Sequence, residues 1–444
     1  MATTLRMLLL LLLVAALASG ALAATAADGK KNATEPKADT AAVTNATAPP
    51  KNLSEHAKKV GEGNSAFAID LYQSVAKAVP ATENVVLSPV LVASALGAAQ
   101  LGASSATASR LLKAINPSGL PGEGFHSGLA EVLGDLASQE EEAAVAATWR
   151  NHTWKAASRV YAPSGVTFSQ GFVSSSKARY GLQHDKVNLK DKRGALKALN
   201  EWAAQNTGGK VKEVAKELNG ADGAVFVNAL FFKGRWNEKF HHQMVDTRGF
   251  LTSRSHTISI QMMHRTGFYN FYHDEKAQVQ LLEMQLKGSL ESLLIALPLH
   301  TESLERLEKL LTKQQLEEWT SKLQKKTIAV SMPKGLLQGS ADIKNSLADL
   351  GLAEVGDKAK ADFSGMTGGR ELHLGSLLHT AALEFDTEGE EYDMSVHGHP
   401  DMRNPHLFYI DHPFFFLVRD ARSGATLLIG RCMRPVGSGR HDEL

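Results

Sequence analysis

The order of helix-like and strand-like segments constrains the fold of this chain most. From about residue 54 to Gly220, apolar residues recur mostly at helical spacing, as Phe67, Leu71 and Val75 do. After Gly220, short β-rich runs such as "GAVFVNALFFKG" and "HTISIQMMH" take over. This order lacks the regular alternation of a doubly wound sheet and predicts a mixed α/β fold with several sheets. No linker divides residues 54–436, so we expect one domain there.

Some local patterns in the second half predict single elements. We expect one long amphipathic helix over about residues 302–323 and another helix near residues 341–350. The runs "HTISIQMMH" and "TGFYNFYHD" read as two strands, and "HPFFFLV" and "ATLLIGRC" predict the last two.

Both ends of the chain carry targeting patterns. Arg6 precedes an apolar run, and a small-residue site ends at Ala23, which predicts a signal peptide over residues 1–23. Residues 24–53 are rich in Ala, Thr, Lys and Pro, and we expect them to be disordered. Residues 437–444 form a tail ending in HDEL, an endoplasmic reticulum retrieval signal: His441, Asp442, Glu443 and Leu444. We therefore expect a protein of the endoplasmic reticulum lumen, with the HDEL/KDEL retrieval receptor as a partner.

Asn-X-Ser/Thr sequons are consistent with a lumenal glycoprotein. The sequence has four of them: Asn32, Asn45, Asn52 and Asn151.

Composition limits the classes of partner. Lys plus Arg (48) nearly balance Asp plus Glu (47), which gives no argument for nucleic acid or a membrane surface. The apolar run of the leader is too short to span a bilayer, and no other segment reaches transmembrane length. From the charge balance and these lengths, we expect neither nucleic-acid binding nor membrane insertion. With one cysteine, no intrachain disulfide can form. No coiled-coil pattern suggests a stable oligomer, and we expect a monomer.

The familiar motifs of cofactor and metal chemistry are missing. We find no GxGxxG after a strand, no P-loop, no HExxH and no CxxC, and we expect no cofactor and no enzyme activity. Cys432 lies in an apolar strand, which predicts a small buried apolar side chain. The alternative is that its thiol is a nucleophile. A histidine-rich group could supply zinc ligands, but its loop spacing is unspecific and we expect no metal. Its members are His397, His399, Asp401 and His406.

Residues 386–411, "DTEGEEYDMSVHGHPDMRNPHLFYID", form a polar segment between two apolar runs. A long structureless loop in a compact domain is usually functional. It could be bait for a protease or a loop with another use.

Several motifs together resemble the serpin family: "NVVLSPVLVASALGAAQLGA", "LNEWAAQNTGGKV", "FVNALFFKGRW" and "HPFFFLVRDARSGATLLIGRCMRP". They span residues 54–436 in serpin order. The resemblance implies a serpin fold with three β-sheets, about nine helices and an exposed reactive-centre loop on residues 386–411.

The hinge of this loop departs from that of inhibitory serpins, whose small side chains insert into a sheet after cleavage. Gly389 is kept, but Glu390 replaces the first inserting Thr, and Tyr392 stands where alanine is expected. Burying an unpaired carboxylate costs several kcal/mol. We therefore expect a non-inhibitory serpin. The alternative is a lumenal serine-protease inhibitor of the serpin type, cleaved near Met402 and Arg403.

A serpin with an HDEL tail and this hinge resembles the collagen-binding serpin chaperones of the endoplasmic reticulum. The resemblance implies procollagen as the partner and assigns collagen contact to Leu407, Tyr409 and Asp411, assisted by Arg248. A triple helix displays only its X and Y side chains, and a carboxylate can bind a Y-position arginine bidentately. The residue pattern alone favours a different interpretation, in which "LFYIDHPFFF" is only a core strand with a terminal Asp cap, and the resemblance reverses that preference.

Release at lower pH is expected from histidine protonation. The resemblance places such histidines near the binding strand and the central sheet, and our candidates are His241, His242, His264, His300 and His412. Arg235 and Leu299 stand where we expect histidine, so the pH response can be shallower or shifted.

Overall fold

The structure is a computed structural model that describes residues 52–145, 152–218, 222–241, 243–300, 304–389 and 400–435. Helices dominate the first half of this described chain, and no helix in it is long and apolar enough to cross a membrane. The α-helices are α1 (Glu55–Ala78), α2 (Pro89–Leu101), α3 (Ser105–Ile115), α4 (Gly122–Val145), α5 (Gln170–Tyr180), α6 (Lys192–Asn206), α7 (Leu304–Leu310), α8 (Lys313–Ser321) and α9 (Ser364–Thr367).

Strands dominate the second half, as the sequence predicts. They are β1 (Val85–Leu87), β2 (His152–Pro163), β3 (Gln183–Val187), β4 (Ala224–Gly234), β5 (Val245–Ser253), β6 (His256–Asp274), β7 (Val279–Gln285), β8 (Glu291–Pro298), β9 (Gln324–Pro333), β10 (Gly335–Asp342), β11 (Leu374–Phe385), β12 (His406–Tyr409), β13 (Phe414–Asp420) and β14 (Thr426–Cys432).

Local chemistry explains where the first helices begin. The Ser54 side chain accepts a hydrogen bond from the Ala57 N–H and caps α1, whose apolar stripe of Phe67, Leu71 and Val75 is buried. Helix α2 begins with Pro89, whose fixed φ suits a first helical position. Nearly every residue of α2 is buried, so this helix lies inside the core rather than on its surface.

Three predictions of local structure were wrong. The helix expected over residues 302–323 is two helices, α7 and α8, because Thr312 accepts a hydrogen bond from the Gln315 N–H and starts a new helix. The region near residues 341–350 contains only a 3-10 helix, Ile343–Ser346, because β10 extends to Asp342. The two strands expected within residues 256–274 form one continuous strand, β6.

The five-stranded sheet has the order β10-β11-β4-β2-β3. Strand β4 lies at its centre and is buried along almost its whole length. Its alternate residues Val225, Val227 and Phe231 pack with Leu199 and Trp202 of α6 in one apolar cluster. Strands β4 and β11 pair directly and in parallel, from Ala224 opposite Leu374 to Phe232 opposite Leu383.

The remaining strands form a nine-stranded sheet with the order β1-β14-β13-β8-β7-β6-β9-β12, and β5 pairs with β6. Strand β6 is 19 residues long: its first part pairs with β5, its middle with β9 and its last part with β7. The resemblance implies three sheets, but the hydrogen-bond pattern of the described strands gives two. The long strand β6 pairs with strands of two of the expected sheets and so joins them into one. Strand β12 lies at the end of this order, next to β9.

Candidate functional site

The edge strand β12 presents two large apolar side chains to solvent. Leu407 is 70% exposed and Tyr409 is 38% exposed, whereas Phe408 and Ile410 are fully buried. The alternation predicted from "LFYID" is therefore present, and burial of Phe408 and Ile410 fixes which side faces out. Exposed large apolar side chains placed together are typical of a binding surface.

Asp411 follows β12 and is held by its neighbour His412. The Nδ1 of His412 lies 2.8 Å from Oδ1 of Asp411, and its Nε2 lies 2.6 Å from the carbonyl oxygen of Pro298. The Asp411 side chain is 35% exposed, and no described residue forms a hydrogen bond to its Oδ2. One carboxylate oxygen thus stays available to an incoming cation.

Asp411 is also tied to β5 through its backbone. Its carbonyl oxygen accepts a hydrogen bond of 2.7 Å from the Leu251 N–H. This bond fixes the segment that follows β12 against the hairpin of β5 and β6.

Arg248 lies on β5 and is already paired. Its Nε donates to Oδ1 of Asp246 at 3.0 Å, and its Nη2 lies 2.6 Å from Oδ2, a forked ion pair. The hydrogen bonds from Arg248 and then His264 hold the pKa of the Asp246 carboxyl below its usual range. Arg248 therefore brings a cation and an accompanying carboxylate to this surface.

His264 connects this ion pair to the neighbouring strand. Its Nε2 lies 2.8 Å from Oδ1 of Asp246, and its Nδ1 lies 2.8 Å from the hydroxyl of Ser331 on β9. Ser331 is the partner of Tyr409 in the β9–β12 register. Asp246, His264, Ser331 and Tyr409 thus form a continuous row across four strands.

Tyr409 lies within electrostatic range of the charged groups on both sides. Partial burial raises the pKa of its hydroxyl, the Arg248 cation opposes that rise, and the carboxylates of Asp411 and Asp246 add to it. The structure therefore brings together the four residues assigned to collagen contact: Arg248, Leu407, Tyr409 and Asp411.

The other histidine candidates are more scattered. The Nδ1 of His241 accepts a hydrogen bond from the Gln243 N–H at 3.3 Å, and His300 is exposed two residues after the end of β8. His242 lies outside the described residues. Among the described candidates, His264 and His412 each contact a carboxylate of the surface described above.

The proximal hinge of the loop is held beside the end of β4. The Trp236 N–H donates to the carbonyl oxygen of Glu388, and the Phe240 N–H donates to that of Thr387, both at 3.0 Å. Gly389 pairs with Trp236, and a Cβ at Gly389 would lie 2.6 Å from the Cα of Lys239. Only glycine fits that approach without a shift of backbone. Glu390 and Tyr392 lie outside the described residues.

A lysine and carboxylate network surrounds this hinge. The Nζ of Lys233 lies 2.8 Å from Asp386 and 3.1 Å from Glu388, and Lys334 lies 3.2 Å from Asp386. Although burial raises it, hydrogen bonds from Lys233, Thr387 and Lys334 lower the pKa of Asp386 to about 2. No local sequence pattern indicated this network or the contacts of Asp246.

The described residues do not support the two alternative sites, a nucleophilic cysteine and a zinc site. Cys432 is fully buried, which raises the pKa of its thiol far above the usual range and disfavours the nucleophilic thiolate. No cluster of three metal-ligating residues occurs in the described part of the chain. His397, His399 and the Asp401 side chain lie outside it, whereas His406 stacks on Phe271 with ring centres 4.6 Å apart.

Asn52 is exposed, as a glycan acceptor requires. The other sequons, the signal peptide and the HDEL residues lie outside the described residues.

These features define the class of protein. The chain matches the family described as "Serpin (serine protease inhibitor)" over residues 62–435. It therefore belongs to the serpin family and is not an enzyme. Uncleaved ovalbumin has the same fold, with a TM-score of 0.75 at 24% identity, covering 85% of this chain and 100% of ovalbumin. The predicted serpin fold is confirmed.

Within that family, the chain is similar to the proteins called Serpin H1. It is 49% identical to Serpin H1 of Bos taurus over 412 residues, which cover 93% of this chain and 96% of that protein. It is 46% identical to Serpin H1 of Gallus gallus over 394 residues, which cover 89% of this chain and 95% of that protein.

Proposed function

We propose that this chain is a non-inhibitory serpin that acts as a collagen-specific chaperone in the endoplasmic reticulum. It binds procollagen triple helices at Gly-X-Arg sites and releases them at lower pH. The observation that carries the proposal is the exposed pair Leu407 and Tyr409 beside the half-free carboxylate of Asp411. The similarity of this chain to Serpin H1, over almost the full length of both proteins, also supports this proposed function.

The geometry suits an arginine displayed by a triple helix. The free Oδ2 of Asp411 accepts from the client guanidinium, and the apolar side chains of Leu407 and Tyr409 cover the neighbouring prolines and exclude water. Arg248, oriented by Asp246, donates to client carbonyl groups or to Asp411 itself. No cofactor takes part.

The surrounding segments have a consistent role under this proposal. Residues 1–23 direct secretion, residues 24–53 are a sequon-bearing segment, residues 54–436 form the serpin domain, and the tail binds the HDEL/KDEL retrieval receptor. The protein acts as a monomer. Glu390 and Tyr392 oppose insertion of the loop, which argues against protease inhibition.

Removal of the Asp411 carboxylate tests the site. Asp411→Ala should abolish detectable binding to a Gly-Pro-Arg triple-helical peptide, while the same peptide without Arg should bind neither protein. Asp357→Ala, which removes a carboxylate from a distant turn, is the matched control. Undiminished affinity of Asp411→Ala for the Arg peptide would refute the site assignment.

A further inference from the structure

The outward side of strands β6, β9 and β12 is one continuous face. The register places Leu407 beside Ala329 and Tyr409 beside Ser331, and Ala329 in turn beside Thr266. Residues of this face are partly or largely exposed, whereas the opposite face is buried through Ile328. The face therefore extends well beyond the four residues assigned to collagen contact.

A lysine stands at the far end of this face. By strand alternation, Lys325 shares a side with Thr327, Ala329 and Ser331. Its Nζ lies 5.5 Å from the centre of the Phe268 ring, and Lys325 itself is exposed. No carboxylate oxygen of the described residues lies within 4 Å of it, so its charge is not neutralised by a described neighbour.

The next lysine belongs to the other side of the strand. Lys326 alternates with the buried Ile328, and its Nζ lies 5.6 Å from the centre of the Phe271 ring, which is itself buried. Lys325 and Lys326 thus carry the same charge one residue apart on opposite faces.

The two ends of the outward face have opposite charges at a fixed separation. Lys325 is six residues before Ser331, and Asp411 is two residues after Tyr409, the partner of Ser331. Eight residue steps at about 3.3 Å each give about 26 Å. A polyproline II chain rises about 3.1 Å per residue, so this length corresponds to about eight client residues, just under three Gly-X-Y triplets.

We propose that this face is a track along which the client triple helix lies, and that Lys325 selects clients with an acidic side chain about three triplets from the arginine bound by Asp411. The inference rests on the proposed function and adds a second specificity position to it. Because the track has one negative and one positive end, it also sets the direction in which the client lies.

Three triple-helical peptides with the same central Arg test the track with the mature protein. One has no acidic residue, one has Glu nine residues before the Arg, and one has Glu nine residues after it. We expect only one of the two Glu peptides to bind more tightly than the first, by about two- to fivefold, the range of an exposed ion pair. The gain should shrink at high ionic strength.

Two charge-reversed variants identify the face. Lys325→Glu should abolish or invert the preference for the favoured Glu peptide, whereas Lys326→Glu, with the same change of net charge, should keep it. Thermal unfolding shows whether both variants fold, and the peptide without Glu reports binding at Asp411 alone.

The outcomes separate the two proposals. Equal affinities for all three peptides, or equal effects of the two lysine variants, overturn the track while leaving the chaperone proposal standing. If the Arg peptide without Glu does not bind, the proposed function itself fails.

Discussion

His412 lies between two oxygen acceptors, Oδ1 of Asp411 at 2.8 Å and the carbonyl oxygen of Pro298 at 2.6 Å. A neutral imidazole has one N–H and can donate to only one of them, whereas an imidazolium donates to both. Protonation of His412 therefore strengthens its hold on Asp411, the carboxylate that we propose for the client arginine.

We expect affinity for a Gly-Pro-Arg triple helix to fall between about pH 7.4 and about pH 6, where histidines commonly become charged. His412→Gln should reduce the ratio of the two affinities, because a glutamine side chain has no ionisable nitrogen. Binding titrations at both pH values measure the ratio. His56→Gln, an exposed histidine of α1, is the control and should keep the wild-type ratio. An unchanged ratio in His412→Gln would exclude this histidine as the switch.

The alternation on β12 predicts opposite effects for adjacent residues. Leu407→Ala should leave the free energy of unfolding within about 0.5 kcal/mol of wild type, because Leu407 is mostly exposed. It should weaken collagen binding by about 1 to 2 kcal/mol, as loss of an apolar interface contact does. Denaturant unfolding and peptide titration measure the two quantities.

Phe408→Ala is the internal comparison, because Phe408 is fully buried. It should destabilise the protein by about 3 to 5 kcal/mol. A large loss of stability in Leu407→Ala, or none in Phe408→Ala, would contradict the proposed orientation of the strand.

The order of elements was predictable because it follows from local patterns. Ser54 and the stripe of Phe67, Leu71 and Val75 mark the start and the inward face of α1. The break between α7 and α8 was missed because Leu307 and Leu316 are both buried, so the apolar repeat continues across the break. The sequence did contain a signal, Thr312 as an N-cap.

The candidate site was only partly predictable. Alternation in residues 407–411 indicated which side chains share a face. The contact between Asp246 and His264, however, joins residues 18 positions apart and depends on how β5 and β6 are paired. Pairing across strands is a long-range property that no local pattern specifies.

Cleavage of the loop should not stabilise this serpin. Insertion between β4 and β11 requires breaking their parallel pairing and the bond from the Trp236 N–H to Glu388, and it buries the carboxylate of Glu390. After trypsin cleavage at Arg403, we expect the unfolding temperature to stay within a few degrees.

Thermal scans before and after cleavage test this, together with denaturing gels after incubation with trypsin-like proteases. A rise beyond about 10 °C, which corresponds to several kcal/mol for a domain of this size, or an SDS-stable complex would favour the inhibitor alternative.

The buried His379 makes stability depend on pH. Burial lowers the pKa of its imidazole to about 3, while the unfolded chain has the ordinary value near 6.5. Above about pH 6.5 both states are neutral at this group. Below it the unfolded state binds the proton first, so stability falls by up to about 1.4 kcal/mol per pH unit until the folded pKa is reached.

We therefore expect a smaller slope of unfolding free energy against pH, between about pH 6.5 and 5, in His379→Asn. The slope, and not the absolute stability, is the quantity to compare, because the substitution also disturbs the hydrogen bond from the Ser88 N–H. A slope equal to that of wild type would contradict the prediction and show that other titratable groups cause the pH dependence of the unfolding free energy.

The proposed binding strand β12 has only four residues and pairs, among the described strands, with β9 alone. Its other edge leaves backbone N–H and C=O groups without a strand partner, a pattern that invites sheet-to-sheet aggregation. Pro405 and Pro413 flank this stretch, and neither can donate a backbone hydrogen bond. A strand this short can therefore expose Leu407 and Tyr409 at high protein concentration with little tendency to recruit a second copy of itself.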